Sequence, residues 1–350
     1  MDKNDRLRQT AMDLVMGAGA FRVGIATTKT LEGGPESTNL SYVLAEANSA
    51  VIFALSLDQS AIESFLKKED MAAATRDNHR VNTMAGGIAL ELAEYLNMKG
   101  FKSVAVSPNA VYRKDVPGGQ YAELPPLSHR YLAARSGVGH FGLSGNIITK
   151  EHGAAVILAS VVTSAMFTPT EPLLPGDNYC DDCKLCMASC ASGLMDEENK
   201  TTVTIGDVDF SYAKRRAYNR CDYVCGGFTG LHPSGKWSTW SPARFPIPEH
   251  DEEFKLALLN AVDPYRKRPR QEFGCNIYHP IVPGNRLDLT CAHCQFVCHP
   301  DKKIRAMRHK MLIKSGVAIQ EKNGKIRGVS PEEAKRHLAA MDDETRAMYE

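Results

Sequence analysis

Four cysteines fall in one short run, Cys180-x2-Cys183-x2-Cys186-x3-Cys190, and a second group, Cys291-x2-Cys294-x3-Cys298, lies nearer the C-terminus. No other feature constrains the fold as strongly. A C-x2-C-x2-C turn wraps three thiolates around one face of a four-iron cube. The fourth cysteine, set off by three residues, points away and serves a second cube. The second group returns the same service, so the two runs must interleave. Ala191 stands where the bacterial ferredoxin pattern carries proline, a residue that shapes the turn but ligates nothing. Structural zinc is met by pairs of C-x2-4-C rather than by a triplet plus one. The spacing therefore predicts two [4Fe-4S] clusters. The first takes Cys180, Cys183, Cys186 and Cys298. The second takes Cys190, Cys291, Cys294 and one more thiol, from among Cys221, Cys225 and Cys275.

All ten cysteines lie between residues 180 and 298, and the first half of the chain has none. A thiol-free domain joined to a metal domain is the expected organisation. The longest apolar run, Ala154–Val162, is too short to cross a bilayer. The N-terminal stretch has no apolar core of a secretion signal. The expected location is the cytoplasm, without membrane attachment. Thiols stay reduced there, which favours metal over disulfides. The formal net charge of +1 gives no global field toward nucleic acid.

The first half alternates helix and strand signals. Asp5–Met16 reads as a helix and Phe21–Thr28 as a strand. Ala50–Leu57 is a near-continuous apolar run, expected of a buried strand. Ser60–Asp70 opens with a capping-box pattern. His79–Met98 carries apolar residues at helical spacing and is followed by Gly100, a C-terminal glycine. Lys102–Ser107 is a further strand, and Pro125–Gly137 is bounded by proline and glycine like a helix. Asn146–Lys150 and Ala154–Thr163 read as a hairpin around Glu151–Gly153. A proline-spaced linker, Phe167–Asn178, leads into the cysteines. Beyond them, Lys302–Lys314 reads as a basic helix and Gly316–Val329 as a hairpin turning at Asn323–Gly324. Ser330–Met341 carries a strong helix start. The basic stretches Tyr265–Arg270 and Lys302–Lys314 are expected to be solvated faces, with docking of an acidic electron donor as the alternative. Gly137-x-Gly139-x-x-Gly142 matches a dinucleotide fingerprint as a string. It follows a helix and precedes a strand, the reverse of the order that fingerprint needs. Close backbone approach, to a flat cofactor or a packed helix, explains such glycines better.

The segment from Leu124 to Leu174, with Leu132-Ala133-Ala134-Arg135-Ser136-Gly137-Val138-Gly139 and the cysteine run behind it, resembles the corrinoid-dependent reductases. These are the epoxyqueuosine reductases and the reductive dehalogenases. The upstream stretch from Arg76 to Leu96 is similar to their helix before the corrinoid strand. The resemblance covers about residues 10 to 300 and implies an α+β fold. A nitroreductase-like α/β domain binds the corrinoid and a ferredoxin-like double [4Fe-4S] domain follows it. The corresponding boundaries are 1–167, 168–310 and a C-terminal hairpin and helix over 311–350. It implies base-off cobalamin reduced one electron at a time by the clusters, with a ferredoxin or flavodoxin as donor, and a nearby acid giving a proton. It favours Cys221 as the last ligand of the second cluster. Gly137, Gly139, Gly142, Gly145 and Asn146 are its cofactor-binding candidates.

The departures from the pattern bear on the substrate. Glu123, in Glu123-Leu124-Pro125-Pro126, replaces the proton-donating Asp of an Asp-x-x-Pro motif, and an acid in a dry pocket suits that task. His140 stands where relatives place Trp or Glu, Leu143 where they place Lys or Arg, and Thr163–Met166 replaces a T-D-x-P-L stretch. Tyr121 is a second acid candidate, after the tyrosine acid of reductive dehalogenases. The expected function is a reductase acting on a small organic molecule, a halogenated one among the candidates. Action on tRNA as an epoxyqueuosine reductase is the alternative, less favoured for the balanced charge and the lack of a C-terminal helical-repeat domain. A non-catalytic electron carrier, or a reductase handling corrinoid for another protein, is the third reading.

Overall fold

The computed structural model describes residues 3–108, 112–269 and 289–350. In chain order the early elements are α1 (Lys3–Gly17), β1 (Arg22–Thr27), β2 (Ser49–Ser56), α2 (Gln59–Leu66), α3 (Met71–Met98) and β3 (Ser103–Val106). Then come α4 (His129–Arg135), β4 (His140–Phe141), β5 (Ile147–Ile148), β6 (Val156–Thr163), α5 (Leu185–Ala188), β7 (Met195–Ile205) and β8 (Val208–Arg215). The chain ends with α6 (Asn219–Cys225), α7 (Phe254–Lys267), α8 (His293–Val297), α9 (Lys302–Lys314), β9 (Val317–Gln320), β10 (Ile326–Val329), α10 (Pro331–Ala339) and α11 (Asp343–Arg346). Helix and strand are mixed throughout. Among the described residues no helix is long and apolar enough to cross a membrane.

Two compact units form, each from separated stretches. The first holds the chain up to Leu57, Arg80–Cys183 and Lys200–Ala213; the second holds Asp58–His79, Lys184–Asn199 and the chain from Lys214 onward.

The first unit is built on a four-stranded antiparallel sheet in the order β1-β2-β6-β3. Its two central strands are the two apolar runs of the sequence, because a strand flanked on both edges and covered on both faces has no side for polar residues. Ala50 through Ala54 are wholly buried. Helix α4 lies on β1, β2 and β6, and its Leu132, Ala133 and Ala134 pack with Ala50, Ile52 and Ala54 in one core.

The expected hairpin of Asn146–Lys150 with Ala154–Thr163 does not form. Residues 149 and 153 make only an isolated bridge; β5 pairs with β4, and β6 goes to the sheet between β2 and β3. The apolar run of β6 wins burial on both faces there, which a surface hairpin cannot give. Helix α4 starts at His129 rather than at Pro125, since the Ser128 side chain accepts from the Tyr131 amide and sets the start.

In the second unit α2, α5, α8 and α9 pack together, α6 packs on α7, and α10 covers the β9–β10 hairpin. Helix α2 is capped by Asp58, whose carboxylate accepts from the Ser60 amide, so the capping box expected from Ser60 is displaced by a carboxylate two residues earlier. Helix α3 reaches back to Met71, beyond the expected start at His79, because Asp70 accepts from the amides of Ala72 and Ala73. The basic helix α9 is not simply a solvated face: Arg305, Arg308 and Leu312 are buried. For the other basic stretch, Arg270 lies outside the described residues. An aromatic cluster of Tyr223, Phe228, Phe254 and Tyr265 holds α6 against α7, with Tyr223 and Phe228 stacked at 5.7 Å.

Candidate metal centre

The cysteine-bearing helices of the second unit are short and in contact. Helix α5 carries Cys186 and is followed by Cys190; α8 carries Cys294 and is followed by Cys298; the two helices pack on each other and on α9. Two non-glycine residues in the first cysteine run, Asp182 and Lys184, hold left-handed backbone at φ 52° and 58°. Each such residue costs about 1–2 kcal/mol, and strain of this kind gathers where a binding loop is over-determined.

The thiols of Cys190, Cys221 and Cys294 all lie within electrostatic reach of Cys291, whose own thiol is pushed up mainly by burial. Cys225 is pushed up first by its hydrogen bond with Cys221 and then by burial. Its thiol also donates to the Asp222 carbonyl within its own helix, at 3.8 Å. Cys275 lies outside the described residues. Among the described residues no trio of His, Cys, Asp and Glu side chains is arranged to hold a single ion. Four thiolates on one zinc ion would stand roughly 3.8 Å apart, given its bond lengths and tetrahedral angles. A four-iron cube instead takes one thiolate per iron from separated positions, as the interleaved cysteine spacing supplies.

Three buried basic side chains lie near these cysteines. His293, between two motif cysteines, is 1% exposed, and its Nδ1 has no partner among the described residues. Its ring meets Phe65 and Trp237 edge-on. Arg308 is 2% exposed, donates to the Phe296 carbonyl and to Gln59, and feels the charge of Cys298. Lys68 is buried within reach of Cys291. Lys68 follows Lys67 and Arg308 lies in the basic helix α9, and only the fold shows which of these basic residues are buried.

The remaining candidates belong to the first unit. Gly142 donates to the Asn146 carbonyl and Gly145 to that of Gly142, closing a tight turn between β4 and β5. From within that turn the Leu143 amide donates to Cys180 Sγ at 3.3 Å, while the Cys180 amide is held by Asn178 Oδ1 at 3.0 Å. The glycine turn therefore supports the first cysteine directly. Spaces beside its neighbours are filled by the unit's own chain: a Cβ on Gly137 would stand 2.3 Å from the Glu171 carbonyl, and one on Gly139 2.7 Å from that of Ile148.

His140, on β4, is half-buried; burial holds it below the usual imidazole pKa and Asp177 pulls the other way. Its Nε2 is buried without a hydrogen-bond partner among the described residues. Glu123 is buried and holds φ 52°, an unusual conformation for a carboxylate residue. Tyr121 lies on a helical turn, Gly119–Ala122, but its side chain is outside the described residues.

One further pair in this unit had a readable signal. Alternation of Val203, Ile205, Phe210 and Tyr212 about Gly206-Asp207 marks the β7–β8 ribbon, whose Tyr212 meets Tyr131 at 2.9 Å and whose Asp207 pairs with Arg135 at 3.0 Å.

No family model matches the chain. Over 176 residues it is 26% identical to an epoxyqueuosine reductase of Atelocyanobacterium thalassa, covering 49% of this chain and 50% of that protein. The chain thus matches about half the length of that relative. Among solved structures, an epoxyqueuosine reductase bound to an epoxyqueuosine-modified tRNA-Tyr stem loop aligns over 99% of this chain and 98% of its own, at 17% identity and TM-score 0.45. A reductive dehalogenase aligns over 72% of this chain and 33% of its own, at 14% identity and TM-score 0.47.

Proposed function

We propose that this chain is a cytoplasmic oxidoreductase that passes single electrons through two [4Fe-4S] clusters to a corrinoid, which reduces an electrophilic substrate. The observation that carries this reading is that Cys190, Cys221, Cys225 and Cys294 all lie within electrostatic reach of Cys291 in one unit, which supports a thiol-bound cluster there. Cys221 is preferred over Cys225 as the fourth ligand because the resemblance implies it. For the first cluster the set of Cys180, Cys183, Cys186 and Cys298 rests on spacing. When bound, the clusters supply one-electron transfer at potentials set by their charge and hydrogen bonding. The corrinoid supplies a nucleophilic or coordinating metal that no side chain offers.

The chain's own residues bind, orient and move protons. The Leu143 amide steadies the Cys180 thiolate, a contact of the kind that tunes cluster potential. The turn of Gly142, Gly145 and Asn146, with Gly137 and Gly139, gives a rigid backbone edge beside that cysteine. His140 presents Nε2 to a bound group. Glu123, buried and held in left-handed backbone, is the proton donor. A ferredoxin or flavodoxin is the electron donor.

Two substrate classes remain in play. A small organic electrophile follows from the departures at Glu123, His140 and Leu143. Epoxyqueuosine in tRNA is favoured by the name of the curated relative. Anaerobic reconstitution followed by hydroxocobalamin titration is the deciding experiment. About eight irons per chain and one cobalamin are expected. Iron without any cobalamin uptake would leave only an electron carrier. Binding of an epoxyqueuosine-bearing stem loop that weakens steeply with salt would select the tRNA reading; no binding would select the small molecule.

A further inference from the structure

Lys68 has a position that nothing in its local sequence calls for. It stands just past α2 in left-handed backbone, φ 58°, where glycine is the usual residue, and its side chain runs inward to 8% exposure. The Nζ donates to Ser315 Oγ at 2.6 Å, and that hydroxyl donates to the Leu312 carbonyl at 2.7 Å, in the last turn of α9. The negative end of a helix dipole thus backs the ammonium. Gly328 leaves room for the lysine stem: a Cβ there would stand 3.1 Å from Lys68 Cδ. No carboxylate of the described residues lies within salt-bridge distance of Lys68. The charged and titratable groups facing it are Arg244, which repels it, His293, which feels its charge, and Cys291, which attracts it.

A buried ammonium without a carboxylate needs another counter-charge. A cube held by four thiolates is net negative and gains one more negative charge on reduction, and Cys291 is one of its proposed ligands. We propose that Lys68 is a positioning residue of the second cluster: its buried ammonium, seated on Ser315, raises that cluster's reduction potential. The inference rests on the two-cluster reading. In the step concerned, one electron from a ferredoxin- or flavodoxin-class donor enters the cube. No bond forms or breaks. Burial first, and then the Arg244 charge, lower the Lys68 pKa, to about 7, while negative charge at Cys291 acts in the opposite direction, so negative charge on the cluster and the ammonium stabilise one another. Arg220 is the corresponding cation beside Cys190, but it is shared with Asp251 at 3.5 Å. Lys68 has no such competitor among the described residues.

The test uses the full-length chain, reconstituted anaerobically, as Lys68→Met and Lys68→Arg. Iron and sulfide are counted, and both midpoint potentials are read by dithionite titration with electron paramagnetic resonance. Lys68→Met should keep about eight irons. One of its two potentials should fall by at least a tenfold change in the reduction constant, 59 mV for one electron. The other should stay in place, and Lys68→Arg should restore the first. Two unchanged potentials in a fully loaded Lys68→Met protein would overturn the assignment. If Lys68→Met fails to load, Ser315→Ala decides: it keeps the charge but removes its seat, so the same potential should fall by a smaller amount, and no fall would overturn the proposal. Wild-type protein lacking the cubes would sink the two-cluster reading itself, a result the iron and sulfide count separates from the others.

Discussion

Replacing Gly137 with alanine separates two explanations of the glycine-rich segment. If the glycines exist only to let a cofactor approach, the cofactor-free protein should tolerate a methyl group. The structure gives a different expectation. Gly137 ends α4 at φ 75°, and its new Cβ would stand 2.3 Å from the Glu171 carbonyl. That carbonyl is not free to retreat, because the preceding Thr170 is pinned twice: its amide donates to Ile25 O at 3.0 Å and its hydroxyl to Ser136 O at 2.6 Å. Left-handed backbone costs alanine about 1–2 kcal/mol and overpacking a further 1–3 kcal/mol. The expected loss is therefore about 2–5 kcal/mol, which lowers Tm by roughly 5–15 °C in a unit of this size. Calorimetry of the cofactor-free protein at fixed scan rate measures it. Gly87→Ala is the control: Gly87 is exposed inside α3 with nothing within 4 Å of its Cβ position, so alanine should stabilise by about 0.5–1 kcal/mol. A Gly137→Ala protein that melts with wild type would refute the packing argument and return the glycine to the ligand.

Three further outcomes follow from the same geometry. Cys221→Ser should reduce the iron content from about eight to about four per chain while Cys225→Ser leaves it unchanged; the reverse order would exchange the two ligands. Glu123→Gln should lower turnover about 10²-fold or more while iron and cobalamin uptake stay at wild-type levels, and undiminished turnover would remove its proton-donor role. His129 is neutral in the fold: its Nε2 donates to Ser107 O at 3.2 Å, Nδ1 accepts from Ser160 at 2.7 Å, and burial takes its pKa down to about 4. The unfolded chain protonates it near 6.5, so its contribution is complete above that pH and fades as pH falls toward 4. Between pH 7 and 5 the loss is about 1–2 kcal/mol after allowing for partial exposure. The denaturation midpoints of wild type and His129→Gln should converge by that amount, and a constant gap would show that the histidine is not held neutral.

How much of this was legible depended on how local each determinant is. The C-terminal hairpin and helix were read from Asn323-Gly324 and Ser330-Pro331-Glu332-Glu333, and they form at β9, β10 and α10 because turn and cap chemistry act within a few residues. The apolar runs announced buried strands, but not their partners. The sheet is antiparallel, and β6 sits between β2 and β3 rather than folding back on β5. A turn of acceptable length at Glu151–Gly153 made the hairpin plausible. Burial of both faces of Ala154–Thr163 decided against it, and burial is a property of the whole sheet. The β7–β8 ribbon shows the opposite case, a local alternation that was available and not used.

The site divides in the same way. Cysteine spacing carried the ligand reading because a cube imposes its geometry on a few consecutive residues. The charges around the cysteines carried no such signature. Lys68 reaches Ser315, 247 residues away in sequence, and Arg308 reaches Gln59, 249 residues away. The two cations also differ in kind. Arg308, near Cys298, donates to Gln59 and stands 4.0 Å from Glu63, whereas Lys68, near Cys291, has only a hydroxyl among its described partners. The cysteines proposed for the two clusters therefore sit in unlike fields: Arg308 beside Cys298 and Arg220 beside Cys190 each have a carboxylate nearby, whereas Lys68 beside Cys291 has none among the described residues. An electron feels that difference even where the ligands are identical. A chain with the same cysteine pattern but a neutral residue at position 68 would then share the ligand set of this protein and not the potential of its second cluster.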